Sequence, residues 1–151
     1  GTSADTFSPN ANCSRAQVVT FLHRMVASPE PATMVLPFTD VIKDSYYYKP
    51  VAWALENKIT SGTSSTTFSP NEDCSRAQVV TFLWRSMGQP EPKGTTTVFT
   101  DIKSDSYYYK AVLWAVEKGI TTGTSTTTFS PDTICTRAQV VTFLYRLSTL
   151  N

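Results

Sequence analysis

Three arginines sit at matching places in a repeated phrase. Arg15 lies in CSRAQVVTFL, Arg76 lies in the same ten residues again, and Arg137 lies in CTRAQVVTFL. A guanidinium is a planar fork of N–H donors that can hold a carboxylate through two hydrogen bonds. Each arginine follows a serine or threonine, which is how helices begin. The hydroxyls of Ser14, Ser75 and Thr136 suit an N-cap, and Gln17, Gln78 and Gln139 three residues later complete a capping box. A helix start offers free N–H groups and a partial positive charge, so the pattern points to anion binding. The alanine after each arginine leaves room for close approach. A plainer possibility stays open: a first-turn arginine can be solvated, or can pair with an acidic residue of the next repeat.

Other chemistries find little support. The one histidine, His23, occupies a slot that holds Trp84 and Tyr145 in the other copies, as expected for packing rather than chemistry. No Ser–His–Asp set and no paired-carboxylate spacing stands out, so no enzyme and no cofactor are expected. Cys13, Cys74 and Cys135 lie outside any CxxC or CxxH cluster, so no metal is expected. They are odd in number and equivalent in position, which argues against internal disulfides. Each precedes a cap and suits a hydrophobic staple with Val18, Val79 or Val140. A net charge of +1 gives no reason to expect nucleic acid or anionic lipid. No apolar run approaches the roughly 18 residues of a membrane span. Charged residues make up 17%, and Ser and Thr fill the polar surface instead, which favours an extracellular setting.

The positioning elements follow from a period of 61 residues, which links the cysteines, Phe7, Phe68 and Phe129, and Trp53 to Trp114. Gly1 aligns with Gly62 and Gly123, so the expected organisation is the second half of one repeat (1–31), then two whole repeats (38–92 and 99–151), within one domain over 1–151. The connectors SPEPATMVLP and QPEPKGTTTV read as semi-extended linkers. Each repeat reads as a short helix, a turn-rich loop and a long helix. In the long helix Ala16, Val18, Val19, Leu22, Met25 and Val26 recur at spacings of three and four. In the short helix Val51, Leu55 and Ile59 recur, as do Val112, Val116 and Ile120. Pro50 is tolerated only in a first turn, so that helix starts around Tyr47 to Tyr48. Gly62 and Gly123 permit a positive-φ turn, Phe68 and Phe129 anchor the loop, and Asp40 and Asp101 suit a turn or Asx cap. A short extended pair in TTFS is a weaker expectation. Arg24, Arg85 and Arg146 stand nine residues past the first arginines, half a turn away, and read as packing or C-terminal dipole partners. The fold class is all-α: three long helices in a bundle of approximate threefold symmetry, flanked by the short helices.

The stretch FTDVIKDSYYYKPVAWALENKITSGTSSTTFSPNEDCSRAQVVTFLWR resembles an S-layer homology (SLH) motif throughout. The matching parts are the opening Phe-x-Asp-Val, the Trp-Ala short helix, the Ile-x-x-Gly loop, the Phe-x-Pro turn and a Thr-Arg-Ala-Glu-like helix start. The resemblance covers almost the whole chain. It implies a three-repeat pseudo-trimer that attaches exported proteins to secondary cell-wall polysaccharide at the cell surface, without membrane insertion. It implies a pyruvylated sugar, often on N-acetylmannosamine, as ligand, bound in grooves between repeats around Arg15, Arg76 and Arg137. Gln78, Gln139, Gly62 and Gly123 complete the expected binding set, with Trp53 and Trp114 as stacking platforms in second place to a core role. On this basis Arg76→Ala or Arg137→Ala weakens binding without unfolding. Two departures stand out: Gln replaces the usual Glu, and Cys replaces an aliphatic residue before the cap. If grooves draw on adjacent repeats, at least one here is incomplete. An alternative is a protein-interaction or adhesion module with a surface-protein partner, on the same scaffold without the glycan.

Overall fold

A computed structural model describes residues 1–150. Its helices are α1 (Arg15–Met25), α2 (Tyr48–Glu56), α3 (Arg76–Ser86), α4 (Tyr109–Glu117) and α5 (Arg137–Ser148). Among the described residues β-structure is limited to isolated bridges, so the fold is all-α. The TTFS segments form none of these bridges; the weak expectation of strand pairing there fails because loop hydroxyls and Asp40 take up their polar groups.

The long helices start where their caps dictate. Ser14, Ser75 and Thr136 accept from the backbone N–H of Gln17, Gln78 and Gln139, and each glutamine side chain accepts from the cap's own N–H. Replacing Glu by Gln therefore leaves the capping box intact, because the box needs only an oxygen acceptor. The short helices begin at Tyr48 and Tyr109, with Pro50 in the first turn of α2, where its missing N–H costs nothing.

The three long helices touch one another pairwise; α2 covers α1, and α4 covers α3. Val19 and His23 on α1, and Val80 and Trp84 on α3, are buried beneath those short helices. On α5 the matching Val141 and Tyr145 are 38% and 69% exposed, because no short helix among the described residues packs on it. His23 and Trp84 in this slot are thus packing positions.

Backbone hydrogen bonds between repeats close a ring. Cys74 N–H donates to Cys13 O, Cys135 N–H to Cys74 O, and Cys13 N–H to Cys135 O, at 2.9–3.0 Å. Asp40 and Asp101 do not cap their own turns. Asp40 accepts from Phe68 and Ser69 N–H, and Asp101 from Phe129 and Ser130 N–H, nearly thirty residues away. The carboxylates serve the loop because its N–H groups have no helix or strand to receive them. They hold Phe68 and Phe129, both fully buried, in the core.

Cys13, Cys74 and Cys135 are free and fully buried. Burial pushes the Cys13 thiol up to about 12 and Cys135 up to about 11, and shifts Cys74 in the same direction. The folded protein holds these thiols neutral, whereas the unfolded chain ionises them near 9.0. Their contribution to stability is therefore complete below about pH 9 and is lost as pH rises toward the folded values, by about 1.4 kcal/mol per pH unit for each thiol. Iodoacetamide at pH 8 is expected to label no cysteine in the native protein and all three in urea, as read by mass. Urea midpoints are expected to fall between pH 9 and 11, and to fall less in a Cys13→Ala/Cys135→Ala variant.

Candidate functional site: arginine-floored grooves between repeats

Because each arginine is the first residue of its helix, its side chain leaves its own repeat and reaches the next. Arg15 Nε donates to Phe68 O at 2.9 Å, and its guanidinium carbon lies 5.0 Å from the Phe68 ring centre and 5.3 Å from that of Phe82. Arg76 repeats this with Phe129 O at 2.9 Å and the rings of Phe129 and Phe143, and its Nη2 donates to Thr121 Oγ1 at 3.2 Å. Arg137 closes the circuit on Phe7 O at 2.9 Å, between the rings of Phe7 and Phe21. Flat cations between aromatic faces gain cation–π attraction, which desolvation strengthens.

Each arginine is only 4% exposed, yet none has a carboxylate partner among the described residues. The ion pairs among the described residues are exposed and lie elsewhere: Lys49 with Glu30, Lys110 with Glu91, and Lys118 with Glu117. Burial pulls Arg15 and Arg76 below the usual guanidinium value. Among the described residues no fully buried side-chain nitrogen or oxygen lacks a hydrogen-bond partner. The Nη groups of Arg15 and Arg137, which donate to nothing among the described residues, therefore keep contact with solvent, and the space they meet is a groove.

Three such grooves share one plan. The second, of about 320 Å³, is lined by Arg15, by the Thr60–Thr63 loop with Gly62, by Gln78, Thr81, Phe82 and Arg85 of α3, and by Tyr107. The first, also about 320 Å³, is lined by Arg137, Gly1, Thr2, Gln17, Thr20, Phe21, Arg24 and Tyr46. The third, about 290 Å³, is lined by Arg76, the Thr121–Gly123 loop, Ala138, Gln139, Thr142, Phe143 and Arg146, with no tyrosine among the described residues. Each groove takes its floor arginine from one repeat and its loop and helix wall from the next. In the first two a tyrosine arrives from the repeat after that. Tyr46 is 58% exposed and Tyr107 60%, each set edge-on against the following tyrosine at 5.0 Å between ring centres.

The grooves thus bring together Arg15, Gly62 and Gln78 in one place and Arg76, Gly123 and Gln139 in another, with Arg137 in the remaining one. Trp53 and Trp114 line none of the three. They are 7% and 2% exposed, and Trp53 packs on His23 at 5.3 Å, so they belong to the core and are withdrawn as stacking platforms. The helix starts differ as well. Their N–H groups are not free: Arg15 and Ala16 donate to Glu72 O and Pro70 O, Arg76 and Ala77 to Thr133 O and Pro131 O, and Arg137 and Ala138 to Ala11 O and Pro9 O. The neighbouring loop supplies the missing acceptors, so any anion is left to the guanidinium edge.

Arg24, Arg85 and Arg146 are groove residues that helix geometry alone misplaces. They do face half a turn away from the first arginine of their own helix, but the floor arginine of their groove comes from a different helix. Arg85 Nη1 and Arg146 Nη1 donate to Ile59 O and Ile120 O, so they tie the wall helix to its loop rather than serving the C-terminal dipole. Their exact recurrence was the available signal. Tyr46 and Tyr107 carried a similar one in the repeated triple tyrosine.

A family model described as the S-layer homology domain matches residues 37–80 and 98–141, together more than half of the chain. The chain belongs to the S-layer homology domain family. Relatives of this S-layer homology domain include an endoglucanase of Bacillus sp. (strain KSM-635), 34% identical over 78% of the chain and 12% of that protein. Another is a surface-layer 125 kDa protein of Lysinibacillus sphaericus, 30% identical over 76% of the chain and 10% of that protein. A cell surface protein of Thermoanaerobacter kivui is 28% identical over 73% of the chain and 15% of its own length. The chain thus spans about a tenth to a seventh of the relatives it matches.

Proposed function

We propose that this S-layer homology domain, a cell-surface anchoring module, holds an exported protein to the wall by docking acidic sugars of secondary cell-wall polysaccharide in its inter-repeat grooves. The pyruvyl ketal of N-acetylmannosamine fits best, because it presents a carboxylate held rigidly on a ring. One observation carries this: floor arginines that are buried, charged and without a carboxylate partner among the described residues, each opening into a groove of about 300 Å³. Such a cation has already lost most of its hydration, so an anion that reaches its free edge gains a charge-assisted contact at little further desolvation cost. The tyrosines and the amide of Gln78 offer the sugar an apolar face and a donor. The closed ring of cysteine hydrogen bonds and the repeated groove plan support a pseudo-threefold arrangement of repeats. A single contact of this kind contributes about 1.5–3 kcal/mol, so several grooves on one polymer raise retention through effective concentration.

The test is co-sedimentation with purified wall before and after chemical depyruvylation. Native wall is expected to retain the domain and depyruvylated wall to release it. Tyr107→Ala, a change at an exposed side chain, is expected to cut retention several-fold with an unchanged melting temperature. Equal retention on both walls would defeat the ketal mechanism.

A further inference from the structure

A second cavity, of about 420 Å³, opens beside the first groove, between the C-terminal half of α1 and the start of α2. Thr20, Arg24 and Tyr46 line both spaces, so the two adjoin across these side chains. Two of the second cavity's lining side chains are smaller than their counterparts in the next repeat. His23 and Ser28 stand where the next repeat has Trp84 and Gln89. His23 Nε2 lies 2.8 Å from Pro29 O, just as Trp84 Nε1 donates to Pro90 O at 2.8 Å. A carbonyl only accepts, so His23 carries its proton on Nε2. The imidazole therefore keeps the hydrogen bond of the indole and lacks its six-membered ring.

The walls have two characters. Tyr48, Met34 and Pro50 supply apolar surface, and the Tyr48 hydroxyl is fixed by donating to Met34 O at 2.7 Å. Asp44, Ser45 and Lys49 supply groups that can bond hydroxyls. A mostly apolar concavity of a few hundred Å³ with a few convergent polar groups suits a small polar ligand with an apolar face. A pyranose is such a ligand, and the shared Tyr46 wall would place it one sugar along from a residue held at Arg137.

The geometry points to a second sugar subsite at His23, beside the first groove, that takes the sugar next to the acidic one on the same glycan chain. It rests on the glycan-binding function proposed above and adds that the first groove reads a longer stretch of polymer than the second.

The experiment uses the whole chain and two probes: the methyl glycoside of pyruvylated N-acetylmannosamine, and a disaccharide in which that sugar is linked to one further N-acetylhexosamine. His23 is the single histidine, so its ring C–H resonances report the cavity without ambiguity. The disaccharide is expected to shift them and to bind about tenfold tighter, roughly 1.4 kcal/mol; the monosaccharide is expected to bind without shifting them. His23→Trp, which installs the ring found at Trp84, is expected to abolish the tenfold gain and leave monosaccharide affinity unchanged. Equal affinities in the wild type, or a disaccharide that leaves the His23 signals in place, would overturn the subsite alone. If neither probe binds, the function proposed above falls and the subsite with it. The wild-type signals decide the matter even if His23→Trp folds poorly.

Discussion

Arg76→Ala is expected to cost on the order of 3 kcal/mol of stability, a fall in melting temperature of about 6–12 °C for a chain of this size, as well as weaker wall binding. Arg76 is 4% exposed and holds two hydrogen bonds, to Phe129 O and Thr121 Oγ1, between the rings of Phe129 and Phe143. Alanine leaves the Phe129 carbonyl without its donor, about 1–3 kcal/mol, and removes a desolvated cation–π contact of about 2 kcal/mol. Relief of the arginine's own burial offsets part of that sum. Thr121 also accepts from Gly123 N–H, so the loop of the third groove loosens as well. Weaker binding with intact folding, the outcome that the phrase CSRAQ by itself leads one to expect, requires an arginine that only reaches outward. This one is also a structural strut between repeats. Arg76→Lys keeps the charge but has neither the Nε bond nor the planar stack, so it is expected to fall between wild type and alanine. Calorimetric melts of the three proteins decide the point; an unchanged midpoint for Arg76→Ala would show that the strut carries no load.

Gly62→Ala is expected to be at least as severe, and to abolish binding in the second groove before it unfolds the protein. Gly62 has φ +87°, a region costly to any residue with a Cβ. A Cβ built there would lie 2.5 Å from both Ser64 O and Thr67 O and 2.6 Å from Cε1 of Phe38. Two of those atoms are backbone, so no rotamer change relieves the clash; the turn must open. That turn lines the groove floored by Arg15, and its far side is held by Asp40 on Phe68 and Ser69. Gly119→Ala makes a suitable control. Its φ of +68° carries a similar backbone penalty, but a Cβ there would meet nothing within 4 Å. A melting-temperature loss for Gly62→Ala no larger than for Gly119→Ala would show that the loop accommodates the methyl group.

The helices were legible because their determinants are local. A cap, its partner three residues later and an apolar stripe at spacings of three and four lie within one or two turns, so Ser75, Gln78 and Val79 announce the start of α3 in the order in which they occur. Repetition every 61 residues added the grouping of equivalent positions, and the lone Phe68 in polar sequence announced an anchor. The all-α class and the choice of the arginines as the focus of the candidate site follow from these.

What only the tertiary structure decided is which equivalent positions meet. Arg15 reaches Phe68 and Phe82 of the next repeat, and Arg85 joins it from a helix that starts at Arg76, yet nothing in the spacing distinguishes this pairing from one within a single helix. The same holds for the Asp40 carboxylate on a distant loop, and for the carbonyls of Pro70 and Glu72 that occupy the start of α1. Local hydrogen bonding and apolar periodicity are encoded over a few residues and can be read in order along the chain. Contacts between repeats depend on how whole helices pack, and identical sequence in each copy gives every long helix the same offer without saying which neighbour accepts it.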